Sequence, residues 1–177
     1  MSMLVLGLGN ELLGDDAIGV LAVRRLQDEL PEKIHVTETS MYGMAMLDVI
    51  LGYRHLIVID AIKTGRWPVG TVVEIDPNGL GVVAAPSPHF SGLPEMQVLA
   101  KTLKLDFPEQ IAVFAVEIED GTCFGAPVHP KVHRALDEVV RRVKKQVKAW
   151  GQNDPSDVST PRDCPFDGSS EECRLGG

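Results

Sequence analysis

Four side chains in this sequence combine a reactive type with a setting that chemistry can use: Asp15, Asp16, Asp60 and His89. Asp15 and Asp16 sit in the opening stretch MLVLGLGNELLGDDAIGV, Met3 to Val20, which reads as an apolar strand, a glycine turn and a helix. That order places both carboxylates at the carboxyl end of a buried strand and the amino end of a helix, where open α/β folds keep their ligand sites. Such a helix start normally cradles an anion, and two carboxylates would repel a phosphate. The site is therefore expected to take a cation. A dinucleotide fingerprint would need glycine where Leu12 stands, and the stretch has no phosphate-loop lysine. Asp15 alone can be a helix cap, but one cap is enough, so Asp16 needs another reason to be there.

Asp60 closes the apolar run HLIVID, and read alone it marks the top edge of a sheet or opens a turn before Lys63 and Gly65. His89 alone is an ordinary hydrogen-bonding histidine, and its interest comes from company. If the first strand and the His55 to Asp60 strand are parallel neighbours, Asp16 and Asp60 share one sheet edge, and the loop SPHFSG can lay His89 over them. Two carboxylates and an imidazole make a mixed oxygen and nitrogen site for a borderline divalent ion, with positions left for water or substrate. Nickel, zinc and manganese all fit such a set. The sequence has no GxSxG elbow, no HExxH and no cysteine set with a histidine, so hydrolysis here would rest on the metal or on carboxylate-activated water.

The elements that must hold these groups follow from the apolar pattern. Strands are expected at Met3 to Leu8, Ile34 to Thr37, His55 to Asp60, Thr71 to Ile75 and Gln110 to Ile118. LIVID and IAVFAVEI are near-continuous apolar runs, as befits strands covered on both faces. Ile18, Leu21, Ala22, Leu26 and Leu30 give the first helix its stripe, with Asp15 as cap. Short helices are expected at Gly43 to Gly52 and Leu93 to Leu103. A long one should run from Pro130 to about Trp150, burying Val132, Leu136, Val139, Val140, Val143 and Val147. Its basic run, Arg141 to Lys148, reads as a solvated face near the helix end. The alternation implies an α/β fold: one domain, a three-layer sandwich with a mostly parallel sheet of about five strands and helices on both faces. Residues 1–150 should form that domain, and residues 151–177 a polar acidic tail.

The 177-residue chain carries a net charge of -8, which argues against nucleic acid or an anionic membrane as partner. Half of that charge lies in the tail, where six acids face Arg162 and Arg174. No apolar run approaches the roughly 20 residues of a membrane span, and the amino terminus lacks the basic region of a secretory signal. A cytoplasmic monomer is expected. Three cysteines, Cys123, Cys164 and Cys173, are too few for a disulfide framework, and Cys164 and Cys173 lack a CxxC spacing.

The stretches GLGNELLGDDAIGV, VIDAI around Asp60, SPH at His89 and AVEIED occur in the order and spacing of the hydrogenase maturation endopeptidases, and over about Met3 to Trp150 the chain resembles that family. The resemblance implies an endopeptidase that removes a carboxyl-terminal extension from the large subunit of a nickel-iron hydrogenase once nickel has been inserted. It implies that the metal-contacting residues are Asp16, Asp60 and His89, the first of them often glutamate in relatives. Nickel, supplied by the substrate subunit, would then be part of the recognition signal, and another divalent ion could stand in for it in vitro. Asp15 would cap the helix or orient water, with Glu38 and Glu119 as weaker site candidates. Where relatives commonly carry Asp-Gly-Gly-Thr after the second strand, this chain has Glu38, Thr39, Ser40, Met41, Tyr42 and Gly43, in a loop placed to read the partner. The alternative from another class is a nickel checkpoint or chaperone module that binds the loaded subunit without cutting it.

Overall fold

Met3–Leu8 is apolar at every position but Gly7, and all six residues are buried in the first strand, β1. A strand apolar on both faces has to be covered on both faces. The structure, a computed structural model that describes residues 2–76 and 92–152, covers it that way. After β1 come α1 (Ile18–Gln27), β2 (His35–Thr39), the single turn α2 (Leu47–Ile50), β3 (His55–Ile62), β4 (Val72–Ile75), α3 (Leu93–Leu103), β5 (Gln110–Glu117) and α4 (Pro130–Gln152). Two 3-10 turns, Gly14–Ala17 and Gly43–Met46, lead into α1 and α2.

The described strands form one sheet in the order β2-β1-β3-β5-β4. β1 lies parallel to both β2 and β3, β3 lies parallel to β5, and only β4 runs antiparallel, on β5. This is the α/β sandwich with a mostly parallel five-stranded sheet that the apolar pattern implies. Alternation along the strands sorts the core into two halves. Val5, Ile57, Ile59, Phe114 and Val116 pack with α1 and α4, whose valine and leucine stripe from Val132 to Val147 is buried as expected. Leu4, Leu6, Leu56, Val58 and Val113 pack with Met46, α2, Leu93 and Met96.

Several boundaries differ from the sequence expectation: β4 begins at Val72, β5 ends at Glu117, and the helix expected over Gly43 to Gly52 is a 3-10 turn followed by the single turn Leu47–Ile50. β3 does not end at Asp60 but runs to Ile62, because its last residues still pair with β5 as far as Ile62 opposite Glu117. β2 begins at His35 and reaches Thr39, held by its register on β1. α4 continues to Gln152, two residues past Trp150. No helix among the described residues is long and apolar enough to cross a membrane. The tail from residue 153, with Cys164 and Cys173, lies outside the described residues.

Candidate functional site

The chain leaves β1 for β2 on one side and then crosses to β3 on the other. That reversal opens a crevice at the carboxyl ends of β1 and β3, the place where doubly wound sheets bind ligands. β1 ends against Gly9, whose φ of 137° suits glycine alone, and a Cβ there would lie 2.0 Å from the carbonyl oxygen of Asp16. The turn bearing Asp16 can therefore fold back onto the strand end. α1 comes equally close, since a Cβ on Gly19 would lie 2.2 Å from the Leu8 oxygen and 2.6 Å from that of Ile59. Gly9 and Gly19 are thus explained by close backbone contact.

Asp16 is half-buried in the 3-10 turn, and its Oδ2 accepts the N–H of Asn10 at 2.7 Å. A Cβ on Gly121 would stand 3.6 Å from the Asp16 Cβ, so the segment after β5 passes directly over this side chain. Asp60 lies on β3, the strand beside β1, and is closed to solvent; its Oδ1 accepts the N–H of Ala61 at 2.8 Å. β3 also packs against the turn carrying Asp16. Asp60 on β3 and Asp16 in the turn after β1, the neighbouring parallel strand, accordingly stand at the same end of the sheet. His89 falls outside the described residues. α3, which begins at Leu93, packs on the side of the sheet that holds Leu56 and Val58, and alternation puts Asp60 on that same side. Among the described residues no three His, Cys, Asp or Glu side chains gather closely enough to hold a metal by themselves.

Asp15 does not cap its own helix. Neither the 3-10 turn nor α1 has a side-chain cap at its start. Instead the buried Asp15 carboxylate accepts the N–H of His129 at 2.6 Å, the residue just ahead of α4. His129 Nδ1 accepts the N–H of Lys131 at 3.1 Å. Asp15 is thus placed by the amino end of a 23-residue helix, whose dipole favours a negative charge.

The weaker candidates are occupied or apart. Arg24 grips Glu38 through Nε at 3.0 Å and Nη2 at 2.8 Å and reaches Glu11 with Nη1 at 2.7 Å. These hydrogen bonds, Glu38 first, hold the Arg24 guanidinium protonated well above its ordinary range. With Gly9, Asn10 and Thr39 these side chains line a groove of about 360 Å³ beside the crevice. Glu119 is exposed. Next to it Asp120 accepts the Cys123 thiol at 3.0 Å and the Thr122 hydroxyl at 2.8 Å. Those bonds hold the Asp120 carboxyl below its usual range and push the Cys123 thiol up, the opposite of what a thiolate nucleophile needs. Sequence reasoning passed over Glu117, which is buried at the end of β5. It accepts the N–H groups of Thr64 and Gly65, both at 2.7 Å, and the Thr64 hydroxyl at 2.6 Å, and so clasps the loop after β3. Its signal was the one that exposed Asp60: an acid ending an apolar run.

A pair of carboxylates in a crevice can hold a divalent cation or orient and deprotonate a water. The sequence profile of the hydrogenase maturation proteases matches residues 20–146 of this chain. The hydrogenase expression/formation protein HupD of Rhodobacter capsulatus is 28% identical over 98% of this chain and 90% of its own length. The hydrogenase 2 maturation protease of Escherichia coli K12 is 28% identical, over 82% of this chain and 92% of its own. Among solved structures, the hydrogenase maturating endopeptidase HybD from Escherichia coli superposes with a TM-score of 0.74 at 28% identity, covering 85% of this chain and 94% of that one.

Proposed function

Because the chain belongs to the hydrogenase maturation protease family and is an endopeptidase of that class, we propose that it removes a carboxyl-terminal extension from a hydrogenase large-subunit precursor that already carries nickel. The observation that supports the reading is that Asp60 on β3 and Asp16 in the turn that follows the neighbouring strand β1 stand at the same end of the sheet. Nickel enters as part of the substrate. Asp16 and Asp60 would meet it with oxygen donors and His89 with a nitrogen, a donor set suited to a borderline divalent ion. Bound there, the ion would polarise the peptide carbonyl that is cut. An edge with two carboxylates and an incomplete ligand set binds a loaded partner better than an empty one, which makes loading a condition for cleavage. The residues of this chain then have separate tasks. Asn10 orients Asp16 through its N–H, Ala61 orients Asp60, and Asp15 fixes the turn between them and α4.

The test is direct. The purified chain mixed with nickel-loaded precursor should shorten that precursor at its carboxyl terminus, as read by mass spectrometry. Asp16→Ala, Asp60→Asn and His89→Ala should each abolish shortening while the circular dichroism of the chain stays native. Wild-type binding without any mass loss would overturn the protease reading in favour of a checkpoint module. Unimpaired cutting by one variant would remove that residue from the site.

A further inference from the structure

Glu117 is closed to solvent at the end of β5 and stands opposite Ile62, two residues beyond Asp60 on β3. The donors it holds through its carboxylate, the N–H groups of Thr64 and Gly65 and the Thr64 hydroxyl, are all neutral groups. A carboxyl at that depth is a costly way to fill space, because neutral donors only partly replace water. Its backbone grips the same loop at the far end. The N–H of Gly70 donates to the Glu117 oxygen at 2.8 Å, and the Glu117 N–H donates to the Thr71 oxygen at 3.0 Å. One residue of β5 thus closes the loop from Thr64 to Thr71 onto the sheet. Gly70 has a φ of 87°, and a Cβ there would lie 2.6 Å from the Lys131 oxygen, so the closed loop also presses on the first turn of α4.

The next residue carries the hold across to the other carboxylate. The N–H of Ile118 donates to the Ile62 oxygen at 2.7 Å, which ties the chain leaving β5 to the end of β3. Ile118 is buried, and its Cδ1 would lie 2.9 Å from a Cβ on Gly121, the residue that passes over Asp16. At the surface the Lys63 ammonium lies 3.9 Å from Asp120 Oδ1, a second and weaker link between the two segments. Asp60 therefore leads into the loop that Glu117 closes, and Asp16 is covered by the segment that Glu117 and Ile118 begin. The separation of the two carboxylates depends on how firmly these segments are joined.

We propose that Glu117 is a positioning residue for the reaction: by closing the loop after Asp60 and anchoring the segment over Asp16, it holds the two carboxylates at one separation. Two oxygen donors that must meet one ion tolerate little play, and a misplacement of about 1 Å can cost roughly a hundredfold in rate. Glu117 itself touches neither the ion nor the peptide. The inference rests on the protease reading above and adds to it what keeps the site in shape.

Kinetics of the full chain on nickel-loaded large-subunit precursor test it, together with hydrogen exchange of the chain alone. Glu117→Ala should lower kcat about tenfold or more and leave KM within about twofold. Thr64→Val keeps a branched side chain and removes only the hydroxyl donor; it should lower kcat in the same direction, and it decides the matter if Glu117→Ala does not fold. Glu117→Gln, whose amide oxygen can still take both N–H groups, should keep kcat within about twofold of wild type. In the free chain the Asn10 and Ala61 N–H groups, which donate to Asp16 and Asp60, should exchange about tenfold faster in Glu117→Ala and at the wild-type rate in Glu117→Gln. Val139→Ala, a cavity in the body of α4, should lower the melting temperature and leave kcat and both exchange rates unchanged. Unchanged kcat in Glu117→Ala and Thr64→Val, a Glu117→Gln as impaired as Glu117→Ala, or an equal loss of kcat in Val139→Ala would overturn the proposal. If wild type binds precursor without cutting it, the protease reading falls, and the two exchange rates alone decide whether Glu117 positions the carboxylates.

Discussion

Asp15 and Asp16 are neighbours in the chain and find partners in different places, one at the start of α4 and the other in its own turn. Removing Asp15 leaves the His129 N–H without its acceptor in a part-buried position and takes a favourable charge from the amino end of α4. An orphaned N–H of this kind costs about 1–3 kcal/mol. Asp15→Ala should therefore lower the urea midpoint more than Asp16→Ala does, and Asp15→Asn, which keeps an acceptor oxygen, should fall between wild type and Asp15→Ala. The reverse order would mean that the bond to His129 contributes nothing. That two acids at this spot exceed what one helix start needs was legible from residue types alone. Which of them does which task was not, because the deciding partner stands 114 positions away.

At the scale of elements, α4 is held to the sheet by its valine stripe and carries its own charge network on the outside. Glu138 accepts Arg141 through Nη2 at 2.7 Å and Nε at 2.8 Å, and Arg142 through Nε at 2.6 Å. These bonds, those to Arg141 first, bring its carboxyl from the ordinary 4.5 down to about 2. A carboxylate depressed in the folded state adds stability above its unfolded value and loses it as the pH falls through the folded one. The gain is therefore complete above about pH 5 and disappears toward pH 2, and its size is that of a partly exposed ion pair, a fraction of a kcal/mol to about 1. Glu29, also held low by its bond to Lys144, titrates in the same direction. Glu138→Gln should thus reduce, without abolishing, the acid sensitivity of the melting temperature in that window; an unaltered acid limb would show that the pair does not persist in solution. Element positions were legible from apolar periodicity, and the strand ends were less so. β3 outlasts Asp60 because β5 offers it two more pairing residues, a fact of register that no single stretch of sequence contains.

Across the whole molecule, stability should follow position in the sheet. β1 and β3 are buried along their full length and paired on both sides, whereas β2 and β4 are edges with half-exposed residues. Native-state hydrogen exchange should be slowest in β1 and β3 and fastest in β2 and β4. Comparable protection in β2 would indicate that its outer edge is covered. The same layout explains what could be read in advance. HLIVID and MLVLGL could only be strands of a doubly covered sheet, and once they are parallel neighbours Asp16 and Asp60 must share an edge. The antiparallel direction of β4 and the partners of Glu117, which are Thr64 and Gly65, arise from contacts between segments that no single stretch contains. One of those long-range contacts also sets a schedule. A ribosome that has made β1, α1 and both aspartates has yet to make the amide that Asp15 holds. The turn bearing Asp16 therefore gains its tie to α4 only after β1, β3 and β5 have all been made.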